Sequence, residues 1–400
     1  MIVPNPSFRP DPSRAIHVQG IIDQRLVDKL TPEIIQLTSE SRQPITVYID
    51  SKGGSVASAE LLLRLLTASN QDMATPCWLI TVVTSWAASA AADFLSSGNY
   101  AIAYPESTIL YHGVRRSFND PITVESASIL AESLKLSNDR YAMALARKSE
   151  WRFMYRFMTL RPGFDEHRTK CKQAGMSELD CFLALTSEKL SYSAKKIVEQ
   201  AKTRHERYTS LLNHVLKFAA RSKRLAKETT VAETESVIIR GIVTFELKSN
   251  KDNPSWTFQD GGLARLSDDF FLLKEYIESS QSEQFKKICE RWSPFVLSKE
   301  QTEQLETLPP DEKAAKRLEI VQPHFKPLWS FFVALCHALQ EGENELTASD
   351  AFWLGLIDEI IGTPDLPLLR YLQEFQPDPT PPSLSAERPA LEAAESGTAK

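Results

Sequence analysis

Along residues 15–113 the apolar positions change period repeatedly, short β-branched runs giving way to three- and four-residue spacing and back again. "AIHVQG" and "PITVYID" predict strands, and "QRLVDKLTPEIIQLTSES" between them predicts a helix with one apolar face. "SVASAELLLRLLTAS" predicts a second helix, "CWLITVVT" a buried strand, and "WAASAAADFLSSG" a third helix closed by Gly98. "YAIAYPESTILYHGV" predicts two short strands around a Pro-Glu-Ser turn. Strand and helix in alternation require right-handed crossovers, so this part predicts the α/β class with a largely parallel sheet.

Beyond about residue 121 helical patterns take over. "TVESASILAESLKLSNDRYAMALARKS" and "LSYSAKKIVEQAKTRHERYTSLLNHVLKFAARSKR" predict long helices, "ESVIIRGIVTFEL" is β-like, and helices are expected to resume after it. Residues 376–400 are rich in Pro, Ala, Glu and Ser with few large apolar residues, which predicts disorder.

With 42% hydrophobic residues, the 400-residue chain can bury a sizeable core without staples. Its N-terminus lacks an apolar run of signal-peptide length, and runs such as "LWSFFVALCHAL" fall short of a bilayer span, so the expectation is a cytoplasmic protein with no membrane partner. Cys77, Cys171, Cys181, Cys289 and Cys336 are scattered without CxxC spacing and odd in number, which argues for reduced thiols. No metal is expected, because His17, His167, His205, His214, His324 and His337 form no ligand motif; His205 and His214 are expected to face solvent. The net charge of −6 carries no nucleic-acid signal. Residues 151–230, however, hold 17 Lys and Arg against 8 Asp and Glu, leaving −15 for the remainder. The expectation for that basic stretch is a solvated helical face.

The chemistry-bearing residues cluster at element ends. "YIDSKGGSV" puts paired glycines between a strand and a helix, "TSWAASAA" puts Ser89 at a helix start, and "ILYHGV" ends a strand with His112. Acyl transfer needs such a set: an imidazole to take the proton of a hydroxyl, and backbone N–H groups for the anion of a tetrahedral intermediate. Ser89 is the candidate nucleophile, His112 the base, and the amides of Gly54 and Ala90 the candidate oxyanion donors. Taken singly, each feature is more often structural: a turn, a packing stripe, a core histidine.

In their joint order, these segments resemble the Clp proteolytic subunit family of serine peptidases. "YIDSKGGSV" (48–56), "SWAASAA" (85–91), "PESTILYH" (105–112) and "LTASDAFWLGLID" (346–358) match four family motifs in sequence. The resemblance implies a Clp/crotonase-like fold of repeated β-β-α units, Ser89 and His112 in the nucleophile and base roles, and an acid at Glu343, where the family has Asp. Glu341, Glu345 and Asp350 compete for that last role. Ser85 and Ala91 stand where the family has glycine, Ala90 stands for Met, and the segment after His112 lacks the family's Pro-x-Gly-Gly. The implied division is a first core part at 13–150, a mostly helical insert at 151–339, a second core part at 340–375 and a tail at 376–400.

The expected function is that of a serine endopeptidase acting on polypeptides without a cofactor. The resemblance adds a homo-oligomer and an ATP-dependent unfoldase as partner. The alternatives are a catalytically silent Clp-like scaffold that binds a partner through the insert, and acyl-CoA chemistry on the related crotonase fold.

Overall fold

The computed structural model describes residues 9–68, 76–115, 123–159, 173–207, 209, 234–239, 243–250, 253–259, 283–293 and 296–362. The chain divides between Ser107 and Thr108 and again between Leu356 and Ile357, so one compact unit takes both ends of the chain and the other its middle.

The first unit is a parallel sheet with helical crossovers. Strands β1 (Ala15–Ile22), β2 (Ile45–Gly54), β3 (Leu79–Ala88) and β4 (Tyr100–Ala103) lie side by side in chain order, and the short strand Glu359–Ile360, β10 in chain order, adds parallel to β4. Ile45, Val47, Ile49, Leu79, Ile80, Val82 and Val83 are almost fully buried, as expected for strands covered on both faces. The crossovers are α1 (Gln24–Glu40), α2 (Val56–Thr67) and α3 (Ala90–Ser96). Asp23 starts α1 by accepting the Leu26 amide, and Leu26, Val27, Leu30, Ile34 and Leu37 form its buried face at three- and four-residue spacing. Each such side chain contributes about 1.5–3 kcal/mol through burial. At the far edge, Asp358 accepts the Ala101 amide at 2.7 Å, and the Tyr100 hydroxyl donates to Glu359 at 2.8 Å.

The second unit is mainly helical. Strand β5 (Thr108–His112) pairs antiparallel with β9 (Glu343–Thr347). The helices are α4 (Val124–Thr159), α5 (Glu178–Ser187), α6 (192–207), α7 (Glu283–Trp292), α8 (Lys299–Glu306), α9 (Pro310–Leu339) and α10 (Ala348–Trp353). Strands β6 (Thr234–Ile239), β7 (Val243–Asn250) and β8 (Asn253–Gln259) form a separate antiparallel sheet. Packing of α4 on α9 centres on Phe153, which stacks on Phe332 at 4.3 Å and meets Phe182 edge-on at 5.7 Å. Gly355, in the left-handed region, lets its backbone reach that of Phe153, where a Cβ would come within 2.6 Å.

Three expectations change. The helix expected from Trp86 starts at Ala90, because Ala87 pairs with Ser51 and holds the preceding residues extended. A third strand, β8, stands where helices were expected to resume after "ESVIIRGIVTFEL". His205 does not face solvent: it lies half-buried and edge-on to Phe331, and burial pushes its pKa down to about 4. His214 and the tail at 376–400 lie outside the described residues.

Candidate active site

Ser89 stands between β3 and α3 with φ 57° and ψ −129°, and among the described residues it alone has a positive φ without being glycine. Such a backbone costs about 1–3 kcal/mol and persists only where its surroundings dictate it. The cause is the end of β2. A Cβ on Gly53 would lie 2.5 Å from the Ala88 carbonyl oxygen, 2.7 Å from Cβ of Ser89 and 3.2 Å from the Ala90 amide nitrogen. Gly53 is itself left-handed at φ +90°, so the absence of its side chain lets one strand end rest on the elbow of the next.

Two irregularities in the sheet lead to this junction. One extra residue in β2 separates the pairs Gln19↔Asp50 and Ile21↔Gly53, and two extra residues in β3 separate Ile49↔Val83 from Ser51↔Ala87. The extra β3 length pushes Thr84 and Ser85 outward and sets the Trp86 ring beneath Lys52, whose Nζ is 5.6 Å from the ring centroid.

The two paired glycines differ. The Gly53 amide donates to Ser51 Oγ at 3.0 Å, and Ser51 Oγ in turn donates to the Gly20 carbonyl at 2.5 Å. Gly54 fits against β1, where a Cβ would lie 2.3 Å from the Ile22 carbonyl oxygen. The Gly53 amide is therefore committed to Ser51, and Gly54 remains the candidate oxyanion donor of the pair. The Ser89 hydroxyl does not cap α3, and Ala90 opens the helix as its first residue.

The second unit holds the candidate base and the candidate acids. Half-buried His112 ends β5, and its Nδ1 lies 2.6 Å from the Gly113 carbonyl oxygen. A carbonyl only accepts, so Nδ1 bears the proton of the neutral ring and Nε2 keeps its lone pair for use as a base. In the β5–β9 register His112 stands directly opposite Glu343. Glu343 is exposed and pairs with the Arg115 guanidinium; the Arg115 hydrogen bond and charge hold its carboxyl below the usual range, with His112 a lesser cause.

The competing acids have other neighbours. Glu345 opposes Leu110, and Glu341 pairs with Arg204. Buried Asp350 accepts from the amide and hydroxyl of Thr347 and from the amide and hydroxyl of Ser191, as the cap of α10 and its tie to the chain before α6. Thus Gly54, Ser89 and Ala90 fall in the first unit, with His112 and Glu343 as a cross-strand pair in the second.

Residues 10–150, which include four of these five positions, match the Clp protease family. Through this segment the chain resembles the Clp protease family. Relatives with 25% identity over 130 residues are the ATP-dependent Clp protease proteolytic subunit 3 of Rhizobium johnstonii and that of Rhizobium etli. The match takes in 31% of this chain and spans 64% of the length of either relative. Among solved structures, a ClpP1 mutant from Listeria monocytogenes aligns with 34% of this chain and 73% of its own, at 20% identity and a TM-score of 0.29. Glu343 lies beyond the matched segment.

Sequence reasoning missed Gly53 as the residue that shapes the elbow, and Arg115 as the partner of Glu343. The doubled glycine was the one available signal for the first. The second depends on a pairing of residues 228 positions apart, for which the local sequence carries no sign.

Proposed function

We propose that this chain is a serine endopeptidase that hydrolyses polypeptides through an acyl-enzyme on Ser89. The observation that carries the reading is the strained backbone of Ser89 at a strand-to-helix turn, with its hydroxyl left out of the helix cap. His112 Nε2 removes the hydroxyl proton as Oγ attacks the scissile carbonyl, and the amides of Gly54 and Ala90 receive the oxyanion. The imidazolium then protonates the leaving amine, and water attacks the ester with His112 again as base. Glu343, opposite His112 in the register, stabilises the imidazolium. The relatives' names extend the reading to an ATP-driven partner, and the family resemblance extends it to assembly as a homo-oligomer in the cytoplasm.

A Ser89→Ala variant tests it. The wild-type protein should cleave small peptides and take up a fluorophosphonate, whereas the variant should lose cleavage by about three orders of magnitude or more and the label entirely. Equal labelling of the two proteins would end the proposal. The pairing of Glu343 with Arg115 favours a second reading, a silent scaffold, and labelling of the wild type at Ser89 excludes it.

A further inference from the structure

We propose that Asn138, on α4, is a positioning residue that fixes the tautomer of His112 by clamping the Gly113 carbonyl, and that the helical middle of the chain thereby serves the base. This deepens the peptidase reading and rests on it for its kinetic consequence only.

The clamp is built from both sides. Asn138 Oδ1 accepts the Val114 amide at 2.7 Å, and the Asn138 amide group lies so close to Gly113 that a Cβ there would be 2.6 Å from Nδ2. The same Cβ would be 2.8 Å from the Gln340 carbonyl oxygen just past the end of α9. Gly113 is therefore wedged between α4 and the α9 terminus, and its carbonyl is the acceptor 2.6 Å from His112 Nδ1.

The wedge is anchored. Asp139, the next residue of α4, is buried with Oδ1 3.4 Å from Nδ1 of buried His337 on α9. Asn344 on β9 donates to the carbonyls of Ala338 and Leu339 at 3.0 and 2.9 Å, so the end of α9 is tied to the strand that pairs with β5. With Glu343 on Arg115, the Gly113 carbonyl is the group that orients the ring, while Glu343 acts on it through charge.

The test uses the full chain labelled with 15N at histidine, the His112 signals being assigned by their loss in His112→Gln. The wild type should show neutral His112 protonated at Nδ1. Asn138→Leu, which removes the acceptor at similar volume, should shift His112 to the Nε2-protonated form and lower kcat by about 10- to 100-fold with KM little changed. Asn138→Asp keeps an oxygen for the Val114 amide and should retain both the tautomer and kcat within about threefold. A wild-type His112 protonated at Nε2, or an Asn138→Leu variant that keeps Nδ1 protonation, overturns the inference. A wild type with the expected tautomer but no peptide cleavage defeats the peptidase reading alone.

Discussion

Replacing Gly53 by alanine isolates the contact that shapes the Ser89 elbow. Alanine at φ +90° costs about 1–2 kcal/mol for the left-handed backbone. Its methyl would also lie 2.5 Å from the Ala88 carbonyl oxygen and 2.7 Å from Ser89 Cβ, both rigid neighbours, and relief of that overlap adds about 1–3 kcal/mol. Gly20 is the control: φ is +75° and nothing lies within 4 Å of its would-be Cβ, so Gly20→Ala carries the backbone cost alone. Gly53→Ala should therefore lose roughly 2–5 kcal/mol and Gly20→Ala about 1–2 kcal/mol. Denaturant titration with the midpoint and slope fitted for each variant measures the difference. Fluorophosphonate labelling of Ser89 should slow by about 100-fold in Gly53→Ala, since the elbow must shift, and stay near wild type in Gly20→Ala. Equal stability loss and equal labelling in the two variants would refute the assignment of Gly53 as the support of the elbow.

Other outcomes follow from the second unit. Asp350→Ala strips four donors of their acceptor, two on Thr347 and two on Ser191, and should cost about 2–4 kcal/mol in denaturant titration, with Asp350→Asn losing less. His205, with its folded pKa near 4 against an ordinary 6.5, contributes stability that is present above pH 6.5 and lost as pH falls toward 4; His205→Leu should flatten the melting temperature over that window. Burial pushes the Cys289 thiol up to about 12, so a thiol reagent at pH 8 should modify it only after unfolding, as mass spectrometry of the native and denatured protein will show.

The parallel sheet was legible because its strands are short β-branched runs between amphipathic helices, and each crossover buries one helical face. The start of α3 was not legible. "WAASAAA" has high helical propensity throughout, but the ladder between Ser51 and Ala87 overrides it for the first three residues. The elbow's support was half visible: the doubled glycine marked a place needing unusual backbone, while only three dimensions show that Gly53 touches Ser89 and that Gly54 fits under Ile22. His205 misled because a lone histidine in a basic helix reads as solvated, and the aromatic that covers it, Phe331, lies on α9, far along the chain. Among the four acids the sequence left open, the register of β5 with β9 separates Glu343 from the others, a relation set by two segments more than two hundred residues apart.

That last relation bears on the order in which the molecule assembles. Pairing β5 with β9 closes a loop more than two hundred residues long, and chain entropy makes this about 2 kcal/mol dearer than closing one of twenty residues. Contacts within the first hundred residues, Gly53 against Ser89 included, close far shorter loops and carry no such delay. Pulse-labelled hydrogen exchange should find the amides of β2 and β3 protected before those of β5 and β9. The Ser89 elbow is thus in place before His112 meets Glu343 across the strands, so a chain released half made holds the proposed nucleophile without its proposed base completed.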